Sequence, residues 1–279
     1  MKNIDPSTVE SFGNEWKRFN QATVSNDELA KNFNDYFEIF PWDIIGEDSI
    51  GFDMGCGSGR WAKFVAPKVK YLNCIDPSES IAVAKKNLKE FTNVEFIARS
   101  VSDDVLAENS QDFGYSLGVL HHVPDTQKAI ESCVKFLKPD SPFLVYLYYS
   151  FDNKSLAYRG IWRLTDMFRR IISRLPSKVK DIITDIIALT VYFPLAKLSK
   201  LMDFLKINIE SVPLSYYRNH SFYTMRTDSR DRFGTPLEKR FSKNEIKRMM
   251  LDSGLTNIKF STNQPFWCAI GFKSVNKLI

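Results

Sequence analysis

A chain of 279 residues with 44% apolar and 25% charged side chains and a net charge of +5 has the makeup of an ordinary folded protein with room for a sizeable core. That balance excludes a disordered or collagen-like chain, and the modest charge argues against nucleic acid as a partner. No uninterrupted apolar run reaches the about 18 residues of a membrane span, the start Met1-Lys-Asn-Ile-Asp-Pro6 lacks the apolar stretch of a secretory signal, and Cys56, Cys74, Cys133 and Cys268 have neither paired nor metal-type spacing, so a cytoplasmic protein with reduced thiols, no metal and no transmembrane helix is expected.

Residues 5–42 are polar and aromatic, and Leu29, Phe33, Tyr36 and Phe37 fall on one face of a helix for which Asn26 is the candidate N-cap. From Ser49 the pattern alternates. Strands are predicted at Ser49–Met54, Tyr71–Ile75, Val94–Ala98, Phe113–Leu117 and Pro142–Tyr149, with helices over 60–66, 79–90 (Ser78 as its cap) and 126–137 between them. Such alternation builds a parallel sheet covered by helices on both faces. After a break of some ninety residues, Ser242 and Glu245 form a capping-box pair at the head of a helix ending at Asp252, with Gly254 as its C-terminal stop. Two apolar strands, Asn257–Ser261 and Phe266–Phe272, then close the chain as an antiparallel hairpin.

The segment carrying most chemical information is Asp53-Met-Gly-Cys-Gly-Ser-Gly59, at the junction of the first strand and the helix after it. Gly55, Gly57 and Gly59 allow the backbone to turn tightly and approach a ligand closely. The dinucleotide fingerprint requires a third glycine three residues after the second, and Arg60 stands there. Asp53 also suits a cation better than a pyrophosphate. These features point to S-adenosylmethionine, which carries a sulfonium and an ammonium. Asp76, ending Leu72-Asn-Cys-Ile-Asp76 ahead of Pro77, is the side chain able to accept both hydroxyls of a ribose. Ser100 and the Val101 backbone fall after the third strand, where an adenine edge would lie, and Gly118-Val-Leu-His-His122 falls at the carboxyl end of the fourth, where such sheets bind ligands.

Taken together, Asp53–Gly59, Ile75-Asp76 and Leu120-His-His-Val-Pro-Asp125 resemble the successive motifs of class I S-adenosylmethionine-dependent methyltransferases, most closely the small-molecule enzymes of ubiquinone and menaquinone biosynthesis. The resemblance spans about 49–150 plus 242–273. It implies a Rossmann-like, seven-stranded, mostly parallel sheet with helices on both faces and a large helical insertion after strand 5. The implied division is an N-terminal helical cover at 1–48, a cofactor-binding core at 49–150, a helical insertion with a substrate-capping loop at 151–241, and a closing helix and hairpin at 242–279. Trp16, within Phe12-Gly-Asn-Glu-Trp16, matches the cover segment that folds over the cofactor. The implied cofactor set is Trp16, Asp53, Gly55, Cys56, Gly57, Gly59, Asp76, Pro77, Ser100, Val101, Gly118 and Val119, and the product is S-adenosylhomocysteine. Ser100 is a departure, since many relatives carry an acid there.

An acceptor oxygen must lose its proton as it is methylated, and His121 or His122 is the nearest candidate base. Leu-His-His-Val spans both faces of the strand end, so the alternative is that one ring points into the core. His220 and Tyr217 are rivals, within a segment dense in Tyr, Arg and His that reads as a recognition loop. There Tyr216, Tyr217, Arg218, Arg226 and Arg232 are candidate acceptor contacts, either pairing an anionic group or tied up in internal salt bridges with Asp228 and Asp231. The stretch 151–210 holds eleven Lys or Arg against six Asp or Glu, interleaved with apolar residues at helical spacing and broken near Pro176 and Pro194. A lid, a peripheral membrane face near a lipid-linked acceptor, and a packing face on the domain or on a second subunit all fit that texture. The expected activity is methyl transfer to a hydroxyl, or less readily an amine, of a small metabolite or sugar-bearing acceptor. A non-catalytic cofactor-binding module is the alternative from another class.

Overall fold

The computed structural model describes residues 2–152, 155–209 and 212–275, so Met1, and Lys154 and Glu210 of the charge balance above, lie outside the described residues. The chain forms two compact units, one of residues 1–20, 29–150 and 237–279 and the other of 21–28 and 151–236.

The first unit is built on a seven-stranded sheet in the order β3-β2-β1-β4-β5-β7-β6. Its strands are β1 (Ile50–Met54), β2 (Tyr71–Ile75), β3 (Val94–Ile97), β4 (Phe113–Leu117), β5 (Pro142–Tyr146), β6 (Leu255–Phe260) and β7 (Cys268–Lys273). The first five pair in parallel, and β7 runs antiparallel to both β5 and β6. Side chains alternate across the sheet, so Phe113, Tyr115 and Leu117 enter one core with α3 (Ala62–Val65) and α4 (Ser80–Asn87). Phe52, Met54, Phe143 and Val145 enter the other, with α5 (Thr126–Phe136) and α10 (Lys243–Asp252). Parallel strands need helical crossovers, and these cover both faces as the alternation requires.

Several local expectations shift. The helical cover begins with a helix not delimited in the sequence, α1 (Pro6–Arg18), capped by Asp5, whose carboxylate accepts from Thr8 N, and begun by Pro6, whose missing N–H costs nothing at a first turn. Helix α2 (Asn26–Tyr36) starts on the residue expected to cap it, because Ser25 Oγ takes the Glu28 amide instead. The helix expected over 60–66 is regular only in α3 and tightens into a 3₁₀ turn at Ala66–Lys68 around Pro67. The last strand begins at Cys268, two residues beyond the expected start.

In the second unit, α6 (Leu156–Ile172) is followed by α7 (Ser177–Ile187), a π-helical turn at Ala188–Tyr192 and α8 (Phe193–Phe204). Pro176 precedes α7 as foreseen, but Pro194 breaks nothing. It sits in the first turn of α8, and the wider turn before it relieves the hydrogen-bond spacing that a proline would disrupt. Ser177–Phe204 is therefore one 28-residue helical run, the one among the described residues long and apolar enough by composition to cross a bilayer. The segment read as a loop is a 3₁₀ turn (Ser215–Asn219) and then helix α9 (Phe222–Gly234), capped by Ser221.

Candidate functional site

The end of β1 is fastened to its neighbour before the chain turns: Gly55 N and Cys56 N both donate to the Ile75 carbonyl, at 2.7 and 3.1 Å. The turn then takes three positive φ angles, +83° at Gly55, +54° at Gly57 and +77° at Gly59, which side-chain-bearing residues adopt only with strain. Space is also short. A Cβ on Gly55 would strike Val119, and one on Gly57 would lie 3.0 Å from the Trp16 indole nitrogen. Trp16 on α1 thus lies against the glycine turn, and Gly13 one helical turn earlier lies against Ser78 and Glu79. Lys17 pairs with Glu79, and Asn87 of α4 donates to the carbonyls of Ser58 and Asn20, so α1 covers the turn from above.

Two carboxylates flank the turn. Asp53 is buried in β1 with neither oxygen in a hydrogen bond among the described residues. Burial pushes its carboxyl up to about 8; the Tyr115 hydroxyl and Arg60 act against the rise, and the Asp76 carboxylate adds to it. A buried acid with only the Tyr115 hydroxyl beside it is well matched to a cation arriving with a ligand. Asp76 at the end of β2 is already engaged: Oδ2 accepts from Gly57 N (3.0 Å), and Oδ1 accepts from Ser78 N (2.8 Å) and Ser78 Oγ (2.6 Å). Ser78, expected to cap α4, serves Asp76 instead. Its single hydroxyl proton has an alternative acceptor in Ser80 Oγ at 2.7 Å, so an Oδ1 lone pair can be released to an incoming hydroxyl.

Farther along, Val101 is buried, and Ser100 Oγ is turned into its own bend, 2.7 Å from Ser102 Oγ. The Ser100 amide donates to Asp103 Oδ2 (2.9 Å), which brings an acid to the place where the sequence lacks one at position 100. Gly118 closes β4 with φ +80°, and a Cβ there would meet nothing nearer than a Tyr146 ring carbon at 4.0 Å, leaving open space at the strand end.

The two histidines after it are not equivalent. His121 is fully buried between His122 and Tyr148, with ring centroids 3.9 Å from each, and neither of its nitrogens has a hydrogen-bond partner among the described residues. Burial holds its ring well below the usual histidine range, helped by His122 and Arg240, so it stays neutral. His122 Nδ1 lies 2.7 Å from the Leu237 carbonyl. A carbonyl only accepts, so Nδ1 carries the proton and Nε2 is the basic nitrogen. The His122 ring meets Phe12 edge-on at 4.9 Å and Tyr148 at 5.5 Å. Arg240 lies over Tyr148, 5.0 Å from its ring centroid, and is tied to Glu238 (2.7 Å). An aromatic wall with one oriented imidazole therefore stands at the carboxyl ends of β4 and β5.

Residues 52–145 match the family model described as "Methyltransferase domain". Residues 52–145 are a methyltransferase domain. Its cofactor is S-adenosylmethionine, and the residues around the glycine turn fit that group: an unsatisfied buried acid for positive charge, an acid with releasable lone pairs for ribose hydroxyls, and a backbone cradle without Cβ atoms. The methyltransferase domain is similar to ubiquinone biosynthesis O-methyltransferases of Paracidovorax citrulli (28% identical, over 49% of this chain and 59% of that protein) and Coxiella burnetii (29%, over 31% and 38%). The chain thus spans about half the length of these curated relatives. Among solved structures, a chain from the complex of the Haloferax volcanii Trm112 methyltransferase activator with a methyltransferase shares the fold (TM-score 0.56, 13% identical, covering 96% of this chain and 98% of that one). An O-methyltransferase family protein from Burkholderia thailandensis does too (0.54, 14%, 92% and 59%).

Of the residues singled out in the sequence, Trp16, Asp53, the three glycines, Asp76 and Val119 gather around one turn of this methyltransferase domain, and Gly118, His121 and His122 share a strand end. Cys56 within the turn is a buried free thiol. Pro77, Ser100 and Val101 belong to the same unit, whereas the candidate acceptor contacts and His220 lie in the second unit and meet internal partners. Arg226 makes a bidentate pair with Asp185 (3.0 and 2.8 Å), Arg218 pairs with Asp203 (2.9 Å), and Arg232 lies 3.9 Å from Asp166 and over the Trp162 ring. The salt-bridge partners are acids of the insertion helices, in addition to any role for the nearer Asp228 and Asp231. Tyr216 stacks on His220 at 4.4 Å, and His220 Nδ1 is 3.0 Å from the Tyr216 carbonyl; Tyr217 packs beside Tyr192. The sequence reading missed Tyr115, Tyr148, Arg240 and Ser78. Tyr115 and Tyr148 were visible as aromatic positions at the ligand-binding ends of strands, whereas Arg240 carried no local signal.

Proposed function

We propose that this chain transfers a methyl group from S-adenosylmethionine to a hydroxyl on a small, ring-bearing acceptor of the phenol or catechol type, with His122 as the base. When bound, the cofactor supplies an electrophilic methyl carbon on a positively charged sulfur. Asp53 and Asp76 hold its cationic and ribose portions, the Gly55–Gly59 turn admits it, and Trp16 covers it. The observation that carries the hydroxyl reading is the His122 tautomer: with Nδ1–H held by the Leu237 carbonyl, Nε2 presents a lone pair beside Phe12 and Tyr148. A phenolic proton passes to that nitrogen as the oxygen becomes a nucleophile, a contribution of about 10²–10⁴-fold. The aromatic wall excludes water and fixes the ring, and holding nucleophile and methyl in line is worth a further ~7–11 kcal/mol at most. His121, neutral and buried, serves as a packing partner that keeps Tyr148 against His122.

The names of the curated relatives support oxygen as the acceptor atom. The test is methyl transfer from isotopically labelled S-adenosylmethionine to a panel of catechols, phenols and amines, with His122→Asn as the variant, since its amide nitrogen can still donate to Leu237. Expected is a 10²–10⁴-fold fall in turnover of a hydroxyl acceptor, loss of the pH dependence due to the base, and unchanged binding of S-adenosylhomocysteine. Transfer to amines alone, or an unaffected variant, overturns the reading.

A further inference from the structure

The helices between 155 and 209 bury an unusual share of polar side chains. Beside the apolar Ile172, Ala188, Tyr192 and Ala196, Asp166, Arg169, Lys180, Thr184 and Ser199 are all buried, as is Arg230 of α9, which packs on them. Most of these polar groups are hydrogen-bonded within the unit, through Arg169–Asp166 (2.7 Å), Arg230–Asp181 (2.8 Å), Lys180 Nζ to the Gly234 carbonyl (3.2 Å) and Ser229 Oγ to the Thr184 carbonyl (2.8 Å).

The outward positions are apolar, and their spacing is regular. On α6 they are Ile161, Leu164, Phe168 and Ile171, with steps of three, four and three residues. On the run from Ser177 they are Val179, Ile182, Ile186, Leu189 and Phe193, with steps of three, four, three and four. All nine are between 38% and 65% exposed. That periodicity marks one continuous stripe on each helix, which in an ordinary protein would be the buried one.

The exposed charge of these helices is mostly basic. Arg163, Arg174, Lys178, Lys197 and Lys200 are exposed, whereas Asp166, Asp181 and Asp185 turn toward the arginines of their own unit, and the exposed Asp203 is paired with Arg218. We infer that this face docks on an anionic lipid bilayer, the stripes lying in the headgroup boundary and the bases at their flanks meeting lipid phosphates. A second copy of the chain seated on the face would bring basic edges against basic edges. Spanning the bilayer would draw Lys180 and Arg230 with it into hydrocarbon, which is costly even for paired charges, so the 28-residue helix lies along the surface. This docking is independent of which acceptor the methyltransferase domain uses.

The experiment is flotation of the full chain with vesicles of phosphatidylcholine alone and of phosphatidylcholine with phosphatidylglycerol, at low and high salt. Binding to the mixed vesicles, weakened at least tenfold by high salt or by omission of the anionic lipid, is expected. Leu164→Glu with Ile186→Glu should abolish flotation. Arg163→Glu, Arg174→Glu and Lys178→Glu together should weaken it about 100-fold, at about fivefold per basic residue. Far-UV circular dichroism and S-adenosylhomocysteine titration must match wild type in both variants; should the apolar pair misfold, the charge variant alone decides. No flotation in any mixture overturns the proposal, as does self-association in sedimentation that the same substitutions remove, and equal flotation with neutral vesicles removes the charge argument on which it rests.

Discussion

Asp53 offers the sharpest test, because its effect on stability has a predictable pH signature. Its carboxyl is fully buried and pushed from an ordinary 3.8 to about 8. Below pH 3.8 both folded and unfolded chains carry the proton there, so the neutral buried acid costs nothing extra. Between pH 3.8 and 8 the unfolded chain gives the proton up and the folded chain keeps it, so the folded state is lost progressively as pH rises. From 3.8 to 7 is a little over three pH units, and at about 1.4 kcal/mol per unit the penalty at pH 7 is about 4 kcal/mol. Asp53→Asn keeps the shape of the neutral acid and cannot ionise. Without ligand it should therefore be more stable than wild type by about 4 kcal/mol at pH 7, close to 10 °C in Tm at about 2–4 °C per kcal/mol, and by nearly nothing at pH 4. The assay is thermal unfolding of both proteins across that range. The same variant should lose affinity for S-adenosylmethionine, having no charge to meet it. A stability difference that is the same at pH 4 and pH 7 would refute the reasoning, since a packing effect of the amide has no reason to follow the titration.

Two further substitutions probe neighbouring arguments. Gly57→Ala puts a Cβ at φ +54° and 3.0 Å from the Trp16 indole, so it should destabilise the protein by about 1–2 kcal/mol, shift Trp16 fluorescence and weaken S-adenosylhomocysteine binding; denaturant unfolding and titration read all three. Asp181→Ala removes a carboxylate that the buried Arg230 guanidinium pairs with at 2.8 Å and should cost more by urea unfolding than exposed pairs such as Lys135–Asp104, whose removal should fall within about 1 kcal/mol.

The features legible in the sequence were those whose physics is local. A glycine turn after a strand, an acid ending the next strand, and strands alternating with helices each declare themselves within ten residues, and the sheet follows from their order. The facing of His121 and His122 does not, because Leu237 and Tyr148, remote in the chain, decide which ring is held and which is enclosed. Helix α9 was hidden for a different reason. Its inward positions mix Met225 and Phe233 with Thr227, Ser229 and Arg230, so the continuous apolar stripe that normally announces a helix is interrupted. The same mixture made the arginines near it look like recognition groups, when their carboxylate partners lie on other helices, Asp203, Asp185 and Asp166. Pro194 misled because the rule for proline assumes regular α spacing before it, which the π turn removes.

The placement of β7 has a consequence for how the chain folds. The strand latest in sequence fills an inner position, between β5 and β6, so during synthesis β5 has an open edge until Cys268–Lys273 arrives. Everything between, the second unit included, emerges first. Closing so long a loop adds little, since the entropy grows with the logarithm of length at about 0.6 kcal/mol per doubling. The hazard is kinetic: until β7 pairs with it, an exposed Phe143-Leu-Val145 edge can pair with another nascent chain.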